Sequence, residues 1–239
     1  MFGTTIKQLR PLAAIVGTMG LGSLAAGQQY TYTDLGVPAG ADSIVGVRMN
    51  NLGQVAGWSQ YFGQGEPSLK GWIWSPGSGF EILPPPPGFF SGRSRAMDIS
   101  DTGIPAGDGG FDSGLAWRYE NGTYEVTGDI GGMPGAYLGG INSNGDLAGT
   151  AKDAQIITND LAFVDINGGP LLNIRPAGGR ATDINDAGQV CGYSNDAFAP
   201  AEAFRWDQSA GAQPLGVLGL ARSLARRLND RGDVVGVAS

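Results

Sequence analysis

The nine-residue stretch Ile184-Asn185-Asp186-Ala187-Gly188-Gln189-Val190-Cys191-Gly192 recurs, with substitutions, at 49–57, 99–107, 141–149 and 228–236. Its central glycines, Gly53, Gly103, Gly145, Gly188 and Gly232, are separated by 50, 42, 43 and 44 residues. A period of that length marks repeat architectures and suits one four-stranded propeller blade. Asn50, Ser100, Asn142, Asn185 or Asn229 opens each copy, and the glycine follows three positions later. That spacing predicts a type I turn whose next residue is left-handed and forms a bulge between two antiparallel strands. Glycine enters that region without steric cost, and the Asn or Ser side chain accepts amide bonds inside the turn. Apolar residues on either side, such as Ile184 and Val190, are expected to point inward from the paired strands.

Three further segments recur in step with the turn. An aromatic strand reads Gly71-Trp72-Ile73-Trp74, Ala116-Trp117-Arg118-Tyr119, Ala162-Phe163-Val164-Asp165 and Ala203-Phe204-Arg205-Trp206; a fifth copy is missing. Turn residues such as Asn121-Gly122 follow it and favour a tight hairpin. A short strand returns at 33–36, 81–83, 124–126, 171–173 and 214–217, and another leads into the next turn at 43–48, 94–98, 136–140, 180–183 and 223–227. Each unit reads as four short strands, without helical periodicity, so the chain is all-β. A lone sheet cannot bury both faces, and packing successive sheets around an axis solves this. The expectation is a β-propeller-like array of about five four-stranded units, with Trp74, Trp117, Phe163 and Trp206 between blades. The last unit is incomplete, ending at Ser239 after its third strand. Either a strand at Tyr30 to Gly36 closes the ring, or the chain is part of a longer array.

The chain has 239 residues. Lys7 and Arg10 precede an apolar run from Leu12 to Leu24, followed by the small residues Ala25, Ala26 and Gly27. This is the pattern of a secretory signal peptide with cleavage near Gly27/Gln28, which would leave 28–239 as a single repeat domain outside the cytoplasm. The run is too short to span a roughly 30 Å hydrocarbon core, and nothing after residue 27 could span a membrane. Cleavage leaves 13 Lys+Arg against 22 Asp+Glu, about −9. A surface of that sign disfavours nucleic acid and anionic lipid and leaves cations, neutral glycans or proteins as partners. Forty-two glycines and 14 prolines beside 41% apolar residues indicate many short strands with turns, not disorder. The single cysteine, Cys191, stands where other copies carry Ala56, Ala106, Ala148 and Val235, and reads as a small core residue.

The order of these segments resembles the HAF-repeat family of extracellular repeat proteins. The match is best over Ala181-Thr182-Asp183-Ile184-Asn185-Asp186-Ala187-Gly188-Gln189-Val190-Cys191-Gly192 with Ala203-Phe204-Arg205-Trp206. The resemblance covers almost all of 30–239 and implies secretion and a repeat fold, with no activity to transfer. The family's histidine position holds Lys70, Leu115, Leu161 and Glu202, and the chain has no histidine, which excludes histidine-dependent metal or general-base chemistry.

Candidate chemistry is sparse. Arg231-Gly232-Asp233 resembles an adhesion tripeptide, but it lies in register with the turns and is explained by them. The loop 107–112 and the turns 142–146 and 229–233 offer oxygen ligands for calcium without the spacing of an EF-hand loop. Glu66, Asp108, Asp112 and Glu202 could supply a carboxylate pair, so a carbohydrate-active hydrolase or lyase is the alternative function. There is no activated Ser or Cys motif and no phosphate-cradling loop, and no cofactor is expected. Asn121-Gly122-Thr123 matches a glycosylation sequon but reads first as a hairpin, and Pro84 to Pro87 reads as a stiff connection. The connections from turn hairpin to aromatic strand vary most in length, and in repeat folds such loops share one face. Trp58, Tyr61, Phe62, Phe111 and Tyr193, with Asp108 and Asp112, therefore form the candidate ligand face, where rings could stack on sugars or cover sheet edges. The expected function is a secreted, non-catalytic binding or structural module.

Overall fold

The computed structural model describes residues 32–62, 68–88, 93–109, 115–128, 133, 135–152, 160–195 and 199–239. The expected signal segment, Tyr30, Glu66, Phe111 and Asp112 lie outside the described residues. The chain divides into two compact units, the second running from Leu35 to Ser239. The described residues contain no helix, and hence none long and apolar enough to cross a membrane.

The strands of the described residues form five antiparallel sheets, four of four strands and one of two. The first contains β1 (Ser43–Met49), β2 (Val55–Tyr61), β3 (Ser68–Ser75) and β4 (Gly79–Ile82). The second contains β5 (Arg95–Ile99), β6 (Pro105–Asp108), β7 (Trp117–Glu120) and β8 (Thr123–Val126). The third contains β9 (Gly135–Ile141), β10 (Leu147–Lys152), β11 (Leu161–Asp165) and β12 (Leu172–Asn173). The fourth contains β13 (Gly179–Ile184), β14 (Val190–Ser194), β15 (Ala203–Asp207) and β16 (Gly211–Gly216), and the fifth only β17 (Ser223–Leu228) and β18 (Val234–Ala238).

Two expectations from sequence are corrected by this topology. The short Leu-containing strand pairs with the aromatic strand before it, as the expected hairpin requires and as β16 does with β15. It therefore completes the sheet it follows, because a tight hairpin returns the chain beside its predecessor. Consequently the fifth sheet holds two strands, not three. The segment Thr33-Asp34-Leu35-Gly36 forms no strand: residues 32–38 are irregular, and Gly36 is left-handed at φ 74° with Pro38 close behind.

The core is built from a repeated pairing of glycine with an aromatic ring. Trp72, Trp117, Phe163 and Phe204 are all 0% exposed, and they pair across the sheet with Gly57, Gly107, Gly149 and Gly192. A Cβ on Gly192 would lie 2.8 Å from Phe204 Cζ and 2.0 Å from the Arg180 carbonyl oxygen. The ring thus occupies the space a side chain would take, and glycine is required there for close approach. Trp117 shares its core with Ala56 and Ile73 of the first sheet, and Phe204 with Ala148 and Val164 of the third. Trp117, Phe163 and Phe204 thus each seal the seam to the preceding sheet. In the first sheet the buried ring is Trp72, not Trp74, which is partly exposed. Both project from one face at period two, but only Trp72 lies over a glycine.

Within the turns, Gly188 sits at φ 71° and donates to Asn185 O at 3.0 Å, and the other four glycines do the same. The Asn185 side chain works in two directions. Its Oδ1 accepts the Gln189 amide at 2.9 Å, and its Nδ2 donates to Asn229 O of the next turn at 2.9 Å. Asn142 donates likewise to Asn185 O, and Asn50 to Ser100 O. Ser100 has no amide to give, and Thr102 Oγ1 reaches Ser143 O at 3.2 Å instead. The recurring asparagine is thus both a turn former and a clamp between sheets. Asn185→Ala removes both roles and is expected to cost about 1–3 kcal/mol; urea denaturation measures it, and an unchanged midpoint would remove the clamp from this account.

Candidate functional site

The first strands of all five sheets carry a bulge at the same place, between Gly46 and Arg48, Ala96 and Asp98, Leu138 and Gly140, Ala181 and Asp183, and Ala225 and Arg227. A bulge re-aims the side chain that follows it. Arg48, Asp98, Gly140, Asp183 and Arg227 therefore occupy one equivalent position, two residues before the turn-opening Asn or Ser. A polar cavity of about 210 Å³ lies where the five turns meet and is lined by Arg48, Asp98 and Asp183.

Arg48 is held between two carboxylates. Its Nε donates to Asp98 Oδ1 at 3.0 Å and its Nη2 to Asp183 Oδ1 at 2.7 Å. The second oxygen of each acid accepts a backbone N–H from the following sheet, Ile141 N for Asp98 at 3.2 Å and Leu228 N for Asp183 at 3.0 Å. Gly140 makes room for this arrangement, since a Cβ there would lie 2.9 Å from Asp183 Oδ1 and 3.2 Å from Asp98 Oδ2. Burial raises both carboxyls above their ordinary value, and Arg48 opposes that shift in each. Sequence reading passed over these residues because no motif joins them. Their constant offset from the turn was the available signal.

The residues expected on a ligand face are distributed otherwise. Trp58, Asp108 and Tyr193 occupy one equivalent position on three different sheets, paired with Val45, Arg95 and Arg180. Asp108 is buried and accepts Arg95 Nε and Nη2 at 2.9 and 2.7 Å, so it serves an internal ion pair. Tyr193 stands opposite Arg180 across the ladder, and Arg180 Nε donates to buried Asp160 at 2.6 Å. Trp58 and Tyr61 are partly exposed, with Lys70 Nζ 4.4 Å from the Tyr61 ring centre, and Phe62 is 59% exposed. In the first sheet Trp58 thus lies at the middle of β2, with Tyr61 at its end and Phe62 just beyond, while Asp108 and Tyr193 stand on other sheets.

The turn carboxylates named for calcium have internal partners. Asp146 accepts Asn142 Nδ2 and Asn167 N, and Asp233 accepts Asn229 Nδ2 and Arg231 Nε. Among the described residues no group of three His, Cys, Asp or Glu could hold a metal. Arg231 and Asp233 close on each other at 2.9 Å, within the turn that explains the tripeptide. Asn121 and Gly122 are both left-handed and connect β7 to β8. Cys191 is buried, and burial pushes its thiol up to about 11. It is expected to resist iodoacetamide at pH 8 in the native protein and to react in urea, with mass spectrometry as the readout. No protein-family model matches the chain, and no curated protein is detectably similar to it.

Proposed function

We propose that the chain is a secreted, non-catalytic binding or structural module of the HAF-repeat type, its five sheets arranged as the blades of a propeller. The observation that carries this reading is Arg48 lodged between Asp98 and Asp183. A glycosidase needs two carboxyl groups facing an open cleft with their oxygens free for substrate and water. Here the two acids share one guanidinium and are capped by backbone amides, so their oxygens are engaged. Such a centre holds sheets together and leaves recognition to the outer loops. The rings of Trp58 in β2 and of Tyr61 and Phe62 at its end, partly or largely exposed, are suited to a neutral sugar ring or a protein surface and need no cofactor or calcium.

The experiment is a binding screen of the purified secreted protein against neutral polysaccharides, in calcium and in EDTA, with released reducing ends measured in the same wells. Retention that disappears in Trp58→Ala/Tyr61→Ala/Phe62→Ala supports the aromatic face. Absence of any ligand, with an unaltered melt in the triple variant, supports the structural role. Release of reducing ends would overturn the non-catalytic reading, and retention lost in EDTA would make calcium part of the site.

A further inference from the structure

A cavity of about 240 Å³ lies in the seam between the third and fourth sheets, at the turn ends of their strands. Asp146, Ile166 and Asn167 line it from the third sheet and its turns, and Asp186, Gly188 and Trp206 from the fourth. Two changes within the repeat produce it. Between the second and third sheets Arg118 Nη1 donates to the turn carbonyl of Gly145 at 2.6 Å, and between the fourth and fifth Arg205 Nη1 reaches that of Gly232 at 3.5 Å. The equivalent residue of the third sheet is Val164: Arg118, Val164 and Arg205 pair with Ala106, Ala148 and Cys191. After the turn glycine, the first and fourth sheets carry a glutamine. Gln54 Oε1 would lie 3.1 Å from a Cβ on Gly103, and Gln189 Oε1 2.8 Å from one on Gly232. The third sheet has the shorter Asp146 in that place, and a Cβ on Gly188 would meet nothing within 4 Å.

Asp146 is also the exception among the buried acids. Of the six buried aspartates among the described residues, Asp98, Asp108, Asp160, Asp165 and Asp183 each have an arginine nitrogen at 2.6 to 3.8 Å. Asp146 has no such partner among the described residues, and no Lys or Arg lines the cavity. Its two oxygens accept Asn167 N and Asn142 Nδ2, each at 2.9 Å. A carboxylate oxygen has a second lone pair, and a buried carboxylate without a cation is costly.

We propose that this cavity binds an alkylguanidinium group, either free arginine or an arginine side chain presented by another protein, in the place that Arg118 and Arg205 take in the neighbouring seams. The cation faces Asp146, with Asp186 at the exposed rim and Trp206, 7% exposed, as an aromatic wall. Guanidinium suits this lining better than ammonium, because it is planar, weakly hydrated, packs against aromatic rings and presents several donors in one plane. The site stands apart from Trp58, Tyr61 and Phe62, so a polysaccharide screen without a hit leaves it intact.

The probes are Nα-acetyl-arginine amide, free arginine and the neutral isostere Nα-acetyl-citrulline amide. Each is titrated into the full secreted protein, labelled with a nitrogen isotope, and followed by NMR at the Gly188 amide and the Trp206 indole N–H. Saturable shifts with arginine are expected, with citrulline about tenfold or more weaker for want of charge-assisted bonds. Preference for the amide supports a side chain presented by a protein, and preference for free arginine supports the amino acid. Asp146→Gln gives the third turn the residue of the first and fourth, so it is expected to fold, to cover Gly188 and to weaken arginine about tenfold or more. Asp186→Asn is the second variant: it keeps an acceptor for Ser143 N, lies at the exposed rim, and should weaken arginine about threefold while melting with the parent. No saturation at tens of millimolar, equal affinity for citrulline, or unchanged arginine affinity in the folded variants overturns the assignment.

Discussion

Phe204→Ala is expected to lower stability by about 3–5 kcal/mol, the range for truncating a fully buried aromatic side chain. For a unit of this size that corresponds to a fall of about 6–20 °C in melting temperature. The ring is 0% exposed and lies on Gly192, so its loss opens a void lined by Ala148, Val164 and Ala181, three small groups held by two sheets. Such a wall cannot collapse without moving backbone, which places the cost high in the range. Trp74→Ala provides the contrast. It is larger by chemistry, yet it is partly exposed and lies over no glycine, and it should cost less than Phe204→Ala. Differential scanning calorimetry of the two variants decides the matter. If Trp74→Ala were the more damaging, the glycine and ring pairing would not be the organising contact of the core.

Arg48→Met is expected to cost about 3 kcal/mol near neutral pH, because it leaves two buried carboxylates facing each other without their shared cation. The distinguishing signature is its pH dependence. Asp98 and Asp183 are raised in the folded protein, chiefly by burial, so the folded state binds their protons more tightly than the unfolded chain does. The stability associated with these two groups is fully present below the ordinary carboxylate pKa of about 4 and is lost as pH rises through their raised values. Removing Arg48 takes away the interaction that opposes the shift and raises both further. The deficit of Arg48→Met relative to the parent should therefore shrink as pH falls from 8 toward 5, read from urea midpoints at each pH. Asp98→Asn with Asp183→Asn in the Arg48→Met background should recover most of the loss at pH 8, since a buried pair replaced on both sides costs far less than one broken on one side. A deficit that is constant with pH would mean that Arg48 acts through packing of its aliphatic stem.

Much of the local structure could be read from the chain because it depends on residues close in sequence. Asn185 and Gly188 are three apart and specify their turn by short-range bonds and by glycine's access to positive φ. Asn121-Gly122 specifies a hairpin for the same reason. The aromatic strands are readable by period-two alternation, but alternation alone cannot tell Trp72 from Trp74. That choice is made by the register that sets Trp72 opposite Gly57, on another strand. Asp108 illustrates the same limit. As a sequence it is a carboxylate in a loop, and as a structure it is the buried partner of Arg95, thirteen residues away across a ladder.

The amino-acid sequence by itself determined the all-β class, the five turns and the four-strand rhythm of the sheets, because a repeat of 42–50 residues carries its own turn, bulge and strand signals within each copy. Only the tertiary structure decided which sheet each short strand joins, that the last sheet has two strands, and that Arg48, Asp98 and Asp183 meet. Those three residues are 50 and 135 positions from one another when counted from Arg48, and no local interaction links them. They come together because a bulge at the same place in three first strands re-aims Arg48, Asp98 and Asp183 toward one another, and close approach there needs the missing side chain of Gly140. Contacts of that range are set by how whole sheets pack, and a single copy of the repeat contains no trace of them.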